Sequence, residues 1–156
     1  MREAIVFISA VALAAPCMAD AAECSAKSGA TTAPIVELYT SEGCDSCPPA
    51  DKWFSTLTPP AANVVPLAFH VDYWDYIGWR DNFARAAFGQ RQRDAVTRQG
   101  GRVSYTPQVM LDGRDFRSWS RAGEFRKGVS GIRSRPARAQ VELTLKANAA
   151  SIELNS

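Results

Sequence analysis

Two cysteines three positions apart, set between a β-forming run and a pair of prolines, constrain this chain more than any other feature. The stretch reads APIVELYT (33–40), SEGCDSC (41–47) and PPADKWFSTL (48–57). The first segment is short and rich in β-formers, which predicts a strand. Ser46, Pro48 and Asp51 suit the first turns of a helix, where proline's missing N–H costs nothing. Trp53, Phe54 and Leu57 then supply an apolar helical face. Cys44 and Cys47 are therefore expected at a strand-to-helix corner, with Cys44 near the helix N-terminus.

That placement has chemical consequences. A thiolate, not a thiol, attacks a disulfide. The N-terminus of a helix favours negative charge through its unpaired N–H groups and its dipole. Cys44 is thus the expected attacking thiol. Cys47, one turn on, is placed to resolve a mixed disulfide. Glu42 and Asp45 oppose thiolate formation and are expected to make the pair less oxidising than a cationic site would.

The start of the chain reads as a leader. MREAIVFISAVALAAPCMADAA carries Arg2, an almost unbroken apolar run from Ala4 to Ala15, and Ala19-Asp20-Ala21 as a cleavage pattern. Residues 1–21 are expected to be a signal peptide cut near Ala21, since the apolar run is too short to span a bilayer. Export to a periplasm or beyond places the rest in an oxidising compartment. Three cysteines then remain, Cys24, Cys44 and Cys47, so one lacks an intrachain partner. Residues 22–32 read as a flexible lead.

The 156 residues suffice for one domain, and 46% hydrophobic with 22% charged residues is a globular composition. From Ala21 to Trp79 seven acids face two lysines, a balance of −5; from Arg80 to Arg138 thirteen arginines and one lysine face five acids, a balance of +9. The arginines are scattered, with no basic run and no aromatic interleaving, so a solvated basic face is expected rather than a nucleic-acid site. No stable membrane insertion is expected.

Further along, NVVPLAFHVDYW (63–74) reads as a strand and RDNFARAAFGQRQRDAVTRQ (80–99) as a helix, with Pro59-Pro60 ending the helix before them. RVSYTPQVMLDGRDFRSW (102–119) reads as a hairpin about Asp112-Gly113, and 120–135 as a glycine-weakened helix. AQVELTLK begins an appended β segment over 136–156, broken at Ala149-Ala150. The sequence ends as a second strand begins, and further β structure is expected in a longer protein. Pro107 cannot donate to a ladder and belongs at a strand start. A cis Thr106–Pro107 bond would expose the Thr106 backbone to a substrate peptide, although cis is uncommon for X–Pro bonds.

A strand, a C-x-x-C pair at a helix start and a Thr-Pro before a hairpin, with Pro107 60 residues after Cys47, together resemble the thioredoxin fold. More narrowly, VELYTSEGCDSCPPAD, PLAFHVDYWDYIGWRDNFA and YTPQVMLDG resemble an uncharacterised family of exported bacterial thioredoxin-like proteins, in which a β-rich segment follows. The resemblance spans roughly residues 33–135. It implies an α/β fold with a central mixed sheet flanked by helices, Cys44 and Cys47 as the redox pair, a cis Pro107, Thr106 and Pro107 as substrate-binding residues, and exported protein thiols and disulfides as partners, with no cofactor. The sequence departs from thioredoxins in Gly43 before the first cysteine, in Asp-Ser between the cysteines, and in Leu38 where they carry a buried acid. Glu37, next to it, is expected on the opposite side of the strand.

Other readings stand beside this one. The pair can be a structural disulfide, although a four-residue loop gains little from cross-linking. Cys44, Cys47 and His70 can hold copper(I) or zinc, against which a lone histidine ending an apolar strand also reads as a hydrogen-bonded core residue. FHVDYWDYIGW (69–79), with five aromatics and two acids, can be core plus an anchored turn or a substrate-facing surface. A non-catalytic adaptor keeps the fold and binds a partner.

Overall fold

The computed structural model describes residues 24–58, 63–146 and 149–155. The expected leader and its cleavage point, and Pro59-Pro60, lie outside them. The elements are β1 (Cys24–Lys27), β2 (Ile35–Thr40), α1 (Pro48–Phe54), β3 (Val65–His70), α2 (Ala86–Arg98), β4 (Gln108–Leu111), β5 (Arg114–Asp115), α3 (Ala122–Arg133), β6 (Gln140–Lys146) and β7 (Ala149–Asn155), with a single 3₁₀ turn at Asp75–Ile77.

β2 is the middle of a four-stranded mixed sheet of order β3-β2-β4-β5. It runs parallel to β3, Ile35 opposite Val65 and Thr40 opposite His70, and antiparallel to β4, Tyr39 opposite Gln108. Alternation along β2 sends successive side chains to opposite faces. Val36 and Leu38 join Ala50 of α1, Val109 and Leu111 of β4, and Val129 and Ile132 of α3 in one core. Tyr39 and Met110 pack with Val71, Ala95 and Val96 on the α2 side. With both faces covered, β2 reads as an almost continuous buried run.

The expected hairpin closes at Asp112-Gly113, whose φ angles of 52° and 75° are both left-handed, as a two-residue turn between twisted strands requires. Gly128 lets α3 approach β4, because a Cβ there would stand 2.7 Å from Leu111 Cδ2.

Two expectations change. The expected lead is not structureless: Cys24–Lys27 forms β1 and pairs antiparallel with β6, from Cys24–Leu145 to Lys27–Glu142, in a second, three-stranded sheet β1-β6-β7. Pairing across more than 110 residues leaves no local signature in so short a segment. The expected helix over 80–99 begins only at Ala86, because Asp81 turns its carboxylate onto its own neighbourhood and accepts from the Phe83 N–H at 2.8 Å. Among the described residues no helix is long and apolar enough to cross a membrane.

Glu37 lies on the α2 side, opposite Leu38, and is buried. It receives hydrogen bonds from Arg91 of α2 and from the Tyr39 hydroxyl, the latter at 3.2 Å. Arg91 also lies over the Phe69 ring, 5.0 Å from its centroid. Burial, followed by the Glu37 charge, raises the Tyr39 phenol well above its ordinary value, so it stays a donor. A buried carboxylate stripped of its cation is costly, tempered here because Arg91 is half exposed. Arg91→Met should lower stability by roughly 1–3 kcal/mol in urea unfolding. Adding Glu37→Gln should recover part of that loss; a double variant no better than the single would refute the pairing as its cause.

Candidate functional site

Cys44 and Cys47 are joined by a disulfide with their Cα atoms 5.4 Å apart. The corner is built by local hydrogen bonds. The Cys44 N–H donates to the Ser41 carbonyl at 3.1 Å, and the Cys47 N–H to the Cys44 carbonyl at 3.2 Å. Cys47 is the N-cap of α1, so Cys44 lies on the turn that leads into the helix rather than within its first turn.

Pro48 and Pro49 occupy the first two helical positions and carry no N–H. The next two amides, of Ala50 and Asp51, are already bonded to the Cys47 carbonyl at 2.9 and 3.1 Å. The free amides expected to favour a Cys44 thiolate are therefore missing from the helix end. One donor is at hand: the Ser46 hydroxyl lies 3.6 Å from Cys44 Sγ and donates to it, since a disulfide sulfur carries no hydrogen.

The disulfide is covered. Cys44 is 2% and Cys47 0% exposed. The segment after β3 folds over the corner: a Cβ on Gly43 would lie 3.4 Å from Trp74 Cβ and 3.6 Å from Ile77 Cδ1. Those are ordinary contact distances, so this segment packs directly on the cysteine turn. Trp74 Nε1 in turn donates to Thr106 Oγ1 at 2.7 Å. The Thr106–Pro107 bond is cis. Because Gln108 stands opposite Tyr39, Pro107 enters the sheet beside the end of β2 from which the cysteine turn departs. The topology thus brings Cys44, Cys47, Thr106 and Pro107 to one end of the sheet.

His70 ends β3 at that same end, but its Nδ1 is 2.6 Å from Asp81 Oδ2 and its ring packs on Phe83. Among the described residues no group of three or more His, Cys, Asp or Glu side chains is arranged to hold a metal ion. Cys24 is exposed and unpaired, on β1 of the other sheet.

Asp81 is the residue that sequence reasoning missed. It is buried, and its carboxylate accepts from the Glu42 N–H at 2.8 Å as well as from His70 and the Phe83 N–H. It therefore ties the cysteine turn to β3 and to the start of the α2 region. Its sequence surroundings, Arg80-Asp81-Asn82, look like any polar turn, and only its burial marks it. Ahead of the cis-proline, Gln92 donates to the Tyr105 carbonyl and to Gln108 Oε1, both at 2.8 Å. The Tyr105 hydroxyl, pushed up to about 12 by burial and by Asp115, donates to Asp115 at 2.7 Å.

Burial pushes the Asp81 carboxyl up, but the Glu42 N–H, His70 and the Phe83 N–H outweigh it and hold it below its ordinary value. A depressed acid stabilises the fold above the unfolded carboxyl range, near pH 4, and that stabilisation is lost as pH falls through the folded value. Asp81→Asn should therefore be less stable at pH 7 and lose less stability between about pH 4 and pH 2 than the parent. Urea unfolding across that range is the check, and parallel pH curves would contradict it. Ser46→Ala should slow the attack of reduced Cys44 on a small disulfide by a fewfold, because it removes the hydroxyl nearest that sulfur; the single-turnover rate in a Cys47→Ser background measures it.

A profile of the family described as protein of unknown function (DUF1223) matches residues 35–156. A search of curated proteins finds no match. Among solved structures, the crystal structure of a protein from Agrobacterium tumefaciens is similar, with 36% identity and a TM-score of 0.50. The similarity covers 64% of this chain and 48% of that one, so the chain spans about half that protein's length. With the family profile covering the whole stretch from β2 to the end of the sequence, the chain belongs to the family of proteins of unknown function DUF1223.

Proposed function

We propose that Cys44 and Cys47 are a reversible dithiol–disulfide pair that exchanges with the thiols and disulfides of other exported proteins, on a thioredoxin-like domain. The observation that carries this reading is the Cys44–Cys47 disulfide at a strand–helix corner, at the same sheet end as the cis Thr106–Pro107 bond. The sheet order β3-β2-β4-β5 and the sequence β2–α1–β3–α2–β4–β5–α3 support the domain assignment. A four-residue ring adds little stability as a staple, which weighs against a purely structural bond.

In the reducing direction the Cys44 thiolate attacks one sulfur of a substrate disulfide. A Cys44–substrate bond forms, the substrate S–S bond breaks, and one substrate thiolate leaves. Cys47 then gives up its proton and attacks Cys44 Sγ, closing the intrachain disulfide and releasing the second substrate thiolate. Two electrons pass from the dithiol to the substrate, and the oxidising direction is the reverse. Thr106 and Pro107 border the extended substrate segment in this reading. Glu42 and Asp45 are exposed beside the pair, and their charge disfavours the thiolate, which lowers the oxidising power of the disulfide.

The test is a count of free thiols after equilibration in glutathione redox buffers, with metal content read on the same sample. A single two-electron transition is expected, with Cys44→Ser inactive in exchange and Cys47→Ser stalled as a mixed disulfide. Cys44→Ser exchanging as fast as the parent overturns the reading. So does stoichiometric copper or zinc that is lost with His70→Ala, which makes the protein a metal carrier.

A further inference from the structure

The aromatic stretch after β3 divides in the structure. Phe69, Tyr73 and Trp74 pack against the α2-side core. Tyr76 and Trp79 do not: they are 84% and 62% exposed, and Ile77 and Phe83 join them at 49% and 63%. Of the ten large apolar side chains exposed among the described residues, four fall within these eight positions. Scattered exposed apolar residues need no explanation, but a cluster does.

This cluster is fastened to the disulfide corner. Ile77 Cδ1 and the Trp79 carbonyl each lie 3.6 Å from where a Gly43 Cβ would stand. Trp79 Nε1 donates to Glu42 Oε2 at 3.4 Å. Phe83 lies on His70, which Asp81 binds together with the Glu42 amide. Asp75 accepts from the Asp81 N–H at 3.1 Å. On the cysteine side of the cluster the charge is acidic, with Glu42 bonded to Trp79, Asp45 exposed on the same turn and Asp75 next to Tyr76, whereas Arg80 adjoins Trp79 and Arg85 lines a pocket with Phe83. An apolar patch with acids on its cysteine side, abutting a covered disulfide, fits a partner whose cysteine is flanked by apolar and cationic side chains.

We propose that Tyr76, Ile77, Trp79 and Phe83 form the docking face for a partner protein's extended segment in which a cysteine is flanked by an apolar side chain and a lysine or arginine. The proposal rests on the exchange reading, and it names the partner chemistry of that site. Docking on the ring cluster brings the partner sulfur to a disulfide that is otherwise closed to solvent, and the acids select the charge.

The probes are decapeptides with one cysteine capped by a chromophoric aromatic thiol. One carries Leu and Lys beside the cysteine, a second Leu and Glu, a third Ser and Lys, and the small capped reagent without peptide is the control. The full chain is reduced, freed of reductant and mixed with each in single turnover. The Cys44 thiolate attacks the peptide sulfur and the coloured thiolate leaves; Cys47 then releases the peptide thiol. The Leu–Lys peptide should react about tenfold faster than the Ser–Lys peptide and severalfold faster than the Leu–Glu peptide, with the charge preference fading in 1 M salt. Trp79→Ala/Phe83→Ala should bring the ratio of the Leu–Lys to the Ser–Lys rate close to one, with the small reagent's rate as the reference for each protein. Glu42→Gln should shrink the ratio of the Lys to the Glu peptide. Equal rates for all peptides, or a preference for Glu, overturns the docking face while the exchange reading stands. A dimer in sedimentation that suppresses the peptide preference as protein concentration rises assigns the face to a second copy and overturns it as well. Failure of the parent to react with the small reagent removes the exchange reading itself, and the docking face with it.

Discussion

Everything that positions the site depends on β2 being buried on both faces while paired on both edges. Val36 and Leu38 commit one face to α1 and α3, and Glu37 and Tyr39 commit the other to α2. A one-residue slip would turn Leu38 toward the Arg91 side and Glu37 into the apolar layer, so the register is held from both directions. Fixing β2 fixes what leaves its end. Thr40 stands opposite His70 on one edge, and Gln108 opposite Tyr39 on the other. The cysteine turn, the end of β3 and the cis-proline therefore share one end of the sheet.

At that end, packing and polarity divide the work. Trp74 Cβ and the side chain of Ile77 pack beside Gly43, next to a disulfide almost without exposed surface. Asp81 gathers one amide from the cysteine turn, one from the segment before α2, and the His70 ring. A buried carboxylate with three donors is costly to disrupt, because its removal leaves three donors without their partner. Both devices hold the corner still; neither supplies the positive potential that would strongly favour a thiolate. Pro48 and Pro49 remove the helix amides and Glu42 and Asp45 add negative charge, so the Ser46 hydroxyl is left as the nearby donor.

The charge asymmetry of the chain acquires a place in this frame. Of the acids in the first half, Glu42 and Asp45 lie on the cysteine turn, and Glu42 accepts from the exposed Trp79. Some arginines of the second half have defined structural partners: Arg91 answers Glu37, Arg117 answers Asp115 at 3.0 Å, and Arg135 answers Asp112 at 2.5 Å. The basic character of the sequence is therefore partly taken up by ion pairs within the chain.

The sequence by itself determined the local events. The β-forming run before the cysteines, the prolines after them, the Asp112-Gly113 turn and the glycine stop after α2 each act over a few residues, through backbone preferences that neighbours cannot reverse. They sufficed to place Cys44 and Cys47 at a corner and Glu37 opposite Leu38. The tertiary structure decided what depends on distant partners. Cys24–Lys27 became a strand because β6, far along the chain, offered it an edge. Asp81 became the anchor of the cysteine turn because Glu42 and His70 converge on it from other elements. The split of the aromatic stretch into packed Phe69, Tyr73 and Trp74 and exposed Tyr76 and Trp79 was decided by tertiary packing, since tyrosine and tryptophan stand on both sides of that division. Local backbone chemistry is written residue by residue, whereas burial and convergence exist only once the chain has closed upon itself.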